Sequence, residues 1–145
     1  KCNLMINKIK NNSVCQSLLT GQDVIYEEPG IKNINGTWWK GKADCINKDQ
    51  GLLVDIKTTG DINGFRKSAN TYNYDSQAYI YRRIFGHELV FLVICKKTHQ
   101  IGIYDCSDEF YERGGYKVKM AMEQYEKLIE DPLFDIKDYV KTETL

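Results

Sequence analysis

Asp55 and Lys57 lie two residues apart in the segment LLVDIKTT, residues 52–59, a run rich in branched residues that reads as a β-strand. Alternation along a strand puts Leu53, Asp55, Lys57 and Thr59 on one face and Val54 and Ile56 on the other. Val54 and Ile56 are expected to point into the core, each favouring the strand by about 1.5–3 kcal/mol. An acid and an amine on an otherwise apolar strand need a compensating partner. A simple ion pair would supply one; a bound cation and a phosphate would supply another. Asp44 precedes them across Asn47-Lys48-Asp49-Gln50-Gly51, a turn by composition. A hairpin through that turn brings Asp44 close to Asp55. Two carboxylates at close range repel and partly neutralise, and a divalent cation removes the repulsion. Oxygen-only ligands point to a hard ion, Mg²⁺ or Mn²⁺. Such an ion acts as a Lewis acid on a phosphate and lowers the pKa of a bound water. Lys57 would then orient or deprotonate that water, or stabilise charge on the phosphorus. The competing reading is a surface salt bridge between Asp55 and Lys57, worth at most about 1 kcal/mol.

The elements that must hold these groups are read from periodicity and punctuation. Residues 1–21 suggest a broken helical region, with Asn12 or Ser13 capping a short helix through Val14, Leu18 and Leu19 that Gly21 can end. Residues 23–28 suggest a short strand broken by Pro29-Gly30. Residues 37–47 form a second strand and 52–59 a third. A helix is predicted over 72–85, ending at Gly86. Strands at 89–95 and 101–106 make a hairpin through the polar turn KKTHQ. A last helix spans about 116–130, with Val118, Ala121, Met122, Tyr125, Leu128 and Ile129 on one stripe. Residues after Pro132 read as a mostly polar tail. The order predicts an α/β fold, a central mixed β-sheet flanked by helices, as one domain over residues 1–145. The chain starts at Lys1, which is consistent with processing or with a piece of a longer chain.

Three motifs fall around the site: Gly41-Lys42-Ala43-Asp44 (G-x-x-D), Asp55-Ile56-Lys57-Thr58-Thr59 (D-I-K-T-T), and Gln77 with Tyr81 (Q-x-x-x-Y), whose four-residue spacing puts them on one helix face. As a set they resemble the PD-(D/E)xK nuclease superfamily. The Q-x-x-x-Y element resembles its RecB-like branch, and the nearest likeness is to phage and prophage exonucleases of the RecE (exodeoxyribonuclease VIII) type, over roughly residues 24–106. The resemblance implies that Asp44 and Asp55 ligate Mg²⁺ or Mn²⁺, with the backbone carbonyl of Ile56 completing the shell and Lys57 as the catalytic lysine. Gln77 and Tyr81 would belong to a DNA-facing helix. A further acid often touches the metal; Glu28 fits best, with Glu27 the alternative, since only one of two strand neighbours can face the site. Residues 1–22 contain no histidine, so the early-helix histidine or acid of RecE-like enzymes is missing or lies upstream. Cys106 is the one cysteine near the C-terminal end, so no iron–sulfur cluster is expected.

With 20 basic and 20 acidic residues the net charge is zero, so bulk charge does not hold this chain on nucleic acid; a basic groove around an acidic site remains compatible with that balance. No apolar run reaches the roughly 20 residues of a membrane span. The five cysteines are scattered with no C-x-x-C pair, which argues against a structural zinc site and fits reduced thiols in a cytoplasmic protein; the resemblance implies the cytoplasm of a bacterial or phage-infected cell. Trp38 and Trp39 either stack on bases or put one ring in the core and one on the surface. Lys40, Lys42, Arg66, Lys67, Arg82 and Arg83 either contact phosphates or form a solvated face. His87 and His99 are expected to face solvent in turns. The resemblance further implies digestion of double-stranded DNA from free ends to supply single strands for recombination, a homo-oligomeric ring around DNA, and a single-strand annealing protein as partner. Two other functions use the same fold: a non-catalytic nucleic-acid-binding or regulatory domain, and a repair or defence endonuclease.

Overall fold

A computed structural model of the chain describes residues 2–133, 135 and 143. Two short helices, α1 (Cys2–Lys10) and α2 (Ser13–Leu19), open it. They are separate helices because Asn12 is extended and its side chain accepts the Cys15 amide at 3.0 Å. Strands β1 (Val24–Ile34) and β2 (Thr37–Asn47) form a long hairpin, followed by β3 (Leu52–Thr59). The hairpin turns on Asn35 and Gly36, both at positive φ (53° and 94°), the combination that matches strand twist in a two-residue loop. Helices α3 (Phe65–Thr71) and α4 (Tyr74–Phe85) lead to β4 (Glu88–Cys95), β5 (Ile101–Asp105) and α5 (Asp108–Glu130).

The strands form one mixed sheet in the order β1-β2-β3-β4-β5. Pairing is antiparallel except between β3 and β4, which run parallel and are joined through α3 and α4. This is the flanked mixed sheet that the order of elements implied. Leu89 to Cys95 of β4 are all buried, as a central strand covered on both faces must be. One core, with Leu53, Ala78, Phe91, Val93 and Tyr111, lies under α3, α4 and α5. A smaller one, with Cys15, Leu18, Cys45, Val54 and Leu92, lies under α2. All five cysteines are free thiols. No helix among the described residues is long and apolar enough to cross a membrane.

Several boundaries differ from the sequence reading, each for a physical reason. Strand β1 does not stop at Pro29-Gly30 but continues to Ile34. It is an edge strand, where a residue without an amide hydrogen is tolerated. The helix predicted over 72–85 starts at Tyr74, and Asn73, at φ 54°, divides it from the short helix α3. Helix α5 begins at Asp108 rather than near 116. Ser107 caps it, and Gly114-Gly115, poor helix residues, mask its continuity in sequence. Ile56 is not in the core; it is 40% exposed, beyond the last β2–β3 pair. The α5 stripe is buried at Val118 and Met122 but exposed at Tyr125 and Ile129, because 23 residues of α5 outrun the 12 of α4. His99 keeps its Nε2 buried instead of facing solvent. The polar tail expected after Pro132 lies almost wholly outside the described residues.

Gly114 is where α5 meets α4: a Cβ there would stand 2.0 Å from the carbonyl oxygen of Asp75. In a free helix, glycine to alanine is favourable by about 1 kcal/mol. Here the two helices would have to separate, so Gly114→Ala is expected to destabilise the fold by about 1–3 kcal/mol. Urea unfolding checks this; a variant as stable as wild type would show that the helices are not held at that distance.

Candidate active site

Asp55 is a carboxylate on a central strand with only 5% of its surface exposed. Its Oδ1 accepts a hydrogen bond from Nε2 of Gln77 on α4 at 2.6 Å. Its Oδ2 lies 2.5 Å from Nζ of Lys57, yet no partner meets it in hydrogen-bonding geometry. Lys57 therefore holds that oxygen as a close ion pair, with its geometry short of a well-aligned hydrogen bond. The Lys57 ammonium sits against aromatic rings, 5.1 Å from the centroid of Tyr74 and 6.0 Å from that of Phe91, where it gains cation–π attraction. Burial pushes the Asp55 pKa above the usual carboxylate range, and the nearby Asp44 charge adds to this; Lys57 and Gln77 oppose the rise.

Asp44 reaches this region by a different route. The β2–β3 ladder consists of three pairs, ending at Cys45↔Val54. Beyond it the strands fork, and Oδ2 of Asp44 accepts the backbone amide of Ile56 at 2.9 Å. The side chain stands in for the carbonyl that a continuing ladder would have offered. The regular alternation of β1 and β2 also reverses here. Ile25 and Ile46 belong with the larger core, Tyr26, Asp44 and Cys45 line a cleft beneath α1 and α2, and past them Ala43 again belongs with the larger core. Glu27, opposite Asp44 in register, absorbs the reversal in the left-handed region at φ 56°, uncommon for a residue with a side chain.

The structure thus brings Asp55, Lys57 and Gln77 into contact, with Asp44 bonded to the next amide. Tyr81 is placed differently: its ring packs against Gly41, where a Cβ would come within 2.8 Å. It joins the β1–β2 hairpin to α4. Of the two alternative acids, Glu27 pairs with Lys42 on the exposed side. Glu28 is opposite Ala43 in register and hence on the α4 side of the sheet, the side that Asp55 faces. Glu28 is nevertheless not gathered with the other two acids. Among the described residues no three His, Cys, Asp or Glu side chains cluster closely enough to hold an ion. Glu28 lies on β1 and Asp55 on β3, with β2 between them. The donors that fit a divalent cation are the Oδ2 of Asp55 and the Asp44 carboxylate, both hard oxygens.

Two further residues position the site, and sequence reasoning missed both. Asp75, fully buried on α4, takes Arg113 Nε at 2.7 Å and Lys117 Nζ at 2.8 Å from α5. Burial alone would raise its pKa, but Lys117, Arg113 and the Ser76 amide hold it below the ordinary carboxylate range. This clamp fixes α4, and so Gln77, over Asp55. Asn47, also fully buried, donates to the carbonyls of Ser17 and Leu18 and fixes the end of α2. Asp75 lies in the same short stretch as Gln77, but its partners on α5 are distant in sequence and no spacing signals them.

This arrangement, an Asp and a D-x-K on neighbouring strands of a helix-flanked mixed sheet, is that of the PD-(D/E)xK nuclease fold. The chain belongs to the family described as a PDDEXK-like domain of unknown function (DUF3799), whose model matches residues 1–134. In structure it is similar to a protein from Eubacterium rectale named "putative exonuclease", at a TM-score of 0.72 and 20% identity, covering 99% of this chain and 60% of that one. It is also similar to a phage related exonuclease from Haemophilus somnus 129PT, at a TM-score of 0.55 and 16% identity, covering 90% of this chain and 70% of that one. The chain therefore spans about 60% of the length of the Eubacterium rectale protein, and at these identities the likeness is one of fold. No curated protein matches the chain.

Lys57 is the main positive charge against a buried acid whose pKa is already raised. An acid with a folded-state pKa above its unfolded value binds its proton more tightly when folded. Stability then rises as pH falls through the interval between the raised value and the ordinary carboxylate range. Lys57→Ala should lower stability at neutral pH, and the deficit should shrink in acid as Asp55 takes up its proton. Urea midpoints of both proteins across pH test this; a deficit independent of pH would mean that Lys57 contributes packing rather than charge.

Proposed function

We propose that this chain is a metal-dependent nuclease domain that hydrolyses DNA phosphodiester bonds, with residues 1–145 acting as one unit and Asp44, Asp55 and Lys57 as its catalytic set. The observation that carries the proposal is Asp55. A carboxylate buried this deeply, held by Gln77 and Lys57 with one oxygen lacking a hydrogen bond, is a poor stabilising device and a good cation ligand. Asp44 and Asp55 would hold Mg²⁺ or Mn²⁺ through their carboxylates and Ile56 through its backbone carbonyl, with Glu28 on the same side of the sheet as a further acid. When bound, such an ion polarises the scissile phosphate and lowers the pKa of an attacking water.

The chain's own residues have distinct tasks in this reading. Gln77 orients the Asp55 carboxylate so that its other oxygen is turned toward Lys57. Lys57, held against the Tyr74 ring, would place its ammonium group where negative charge builds up on a phosphate. Asp44, which accepts the Ile56 amide, would offer its carboxylate as a ligand to the ion. Tyr81 keeps the hairpin seated on α4.

Exonucleolytic attack on the free ends of double-stranded DNA for recombination, in the cytoplasm of a bacterial or phage-infected cell, is the finer reading. The named exonucleases of similar fold support it. A homo-oligomeric ring and a single-strand annealing partner belong to the same proposal.

Digestion of linear duplex DNA with Mg²⁺ or Mn²⁺ tests the activity. Lys57→Ala should cut about 10³-fold more slowly or worse, with circular dichroism unchanged. Asp44→Asn and Asp55→Asn should lose Mn²⁺ uptake in a binding titration. Equal rates for wild type and Lys57→Ala would remove the catalytic assignment, and cleavage of closed circular DNA as fast as linear DNA would replace the exonuclease by an endonuclease.

A further inference from the structure

The β1–β2 hairpin has one face that neither core uses. Along β2, exposed Trp38, Lys40 and Lys42 alternate with Trp39, Gly41 and Ala43, which are half-buried or buried. Across the ladder Asn33 lies beside Trp38, Ile31 beside Lys40 and Pro29 beside Lys42. Trp38 is 69% exposed and Ile31 67%. This is not a frayed edge, because the opposite face is closed: Gly41 abuts Tyr81, and Gly30 abuts Ile84 and Phe85 of α4. A two-stranded platform backed by a helix thus holds an indole and an isoleucine in water. Large apolar groups held out in this way mark a binding surface.

The chemistry of the face selects the occupant. Lys40 has no ion-pair partner among the described residues, and the acid on the exposed side of β1, Glu27, is already paired with Lys42. Pro29, Gly30, Ile31, Lys40, Gly41 and Lys42 line one shallow depression. The strand then runs into Asp44, which lines the cleft beneath α1 and α2 with Tyr26, Ile56 and Lys10. Alternate residues on a strand are about 6.8 Å apart, so the row from Trp38 to Asp44 extends about 20 Å. An aromatic face followed by an unpaired lysine, with Lys42 beyond it in an exposed ion pair that a phosphate could enter, suits an unpaired nucleic-acid strand. Bases stack on the ring and phosphates meet the ammonium groups. A paired base would hide the face that the indole needs.

We propose that the outer face of the β1–β2 hairpin is a track for single-stranded DNA, with Trp38 stacking on a base, Lys40 and Lys42 on phosphates, and the strand directed toward Asp44. The direction rests on the nuclease reading; the binding does not. Fluorescence anisotropy with a labelled single-stranded oligonucleotide of about 12 nucleotides, in EDTA so that nothing is cut, measures the binding. Trp38→Ala should weaken it about tenfold or more, while Trp38→Phe should retain most of it. Lys40→Gln should flatten the dependence of log K on log salt by about 0.7. Lys119→Gln, on the exposed side of α5, should change neither. In cleavage assays Trp38→Ala should raise KM and leave kcat unchanged. Equal affinity of wild type and both hairpin variants overturns the track, and leaves the nuclease reading intact if DNA is still cut. Impaired binding by the Trp38 and Lys40 variants of a protein that cuts no DNA keeps the track and removes the nuclease reading. No binding by wild type, or a dimer that Trp38→Ala dissociates while oligonucleotide affinity stays the same, overturns the proposal; the second result assigns the face to another copy of the chain.

Discussion

The β2–β3 ladder stops after three pairs, and a side chain takes over where the backbone lets go: the Asp44 carboxylate accepts the Ile56 amide. Much of the site's geometry depends on that fork. Had the ladder continued, Asp44 and Asp55 would have been an ordinary cross-strand pair of like charges, which is destabilising. Opening the strands turns Asp44 to the Ile56 amide at the edge of the cleft under α1 and α2, still near enough for its charge to act on Asp55, which reaches toward α4. It also frees the hairpin beyond Asp44 from β3, so that it can lean on α4 alone. The reversal of facing at Glu27 and Asp44 is the backbone expression of the same event, and the left-handed Glu27 is its local cost.

The two buried acids show how stability and function are divided. Asp75 receives Arg113, Lys117 and the Ser76 amide, and its pKa falls although burial acts to raise it. Asp55 receives one ammonium and one amide group, and its pKa rises because burial prevails. Both have lost their water. One is fully compensated and ties α4 to α5; the other is left short of partners, which is the state a ligand can improve. The compensated acid holds the uncompensated one in position through α4, since Asp75 and Gln77 share its first turns. Gly114 permits this by letting α5 come against the Asp75 carbonyl.

The two faces of the sheet serve different ends. Toward α3, α4 and α5 the core is large and aromatic, and it fixes the Lys57 ammonium against Tyr74 and Phe91. Toward α1 and α2 the cover is thin, and Ile56, Tyr26 and Asp44 are left lining an open cleft. A site between a rigid face and an open one can hold its acids still and still admit a long substrate. The fold is shared with proteins of 20% and 16% identity, since a fold needs the pattern of the strands and few particular residues.

Sequence alone determined most strands of the sheet and singled out Asp55, Lys57 and Gln77, which the fold brings into contact. Period-two runs are a local property, and β3, β4 and the Asn47–Gly51 turn stand in the chain as they stand in the fold. So do the D-x-K and the glutamine of α4, whose types announce their chemistry. Tertiary structure decided the rest. Pro29-Gly30 reads as a break until β1 is seen to be an edge strand with α4 lying on Gly30. Ile56 reads as core until the fork leaves it uncovered. Whether Glu27 or Glu28 faces inward depended on a facing reversal that no alternation rule predicts. Asp75 carried no signal, because its partners come from a helix far along the chain. Local patterns record which way a side chain must turn, whereas long-range contacts decide what it meets there.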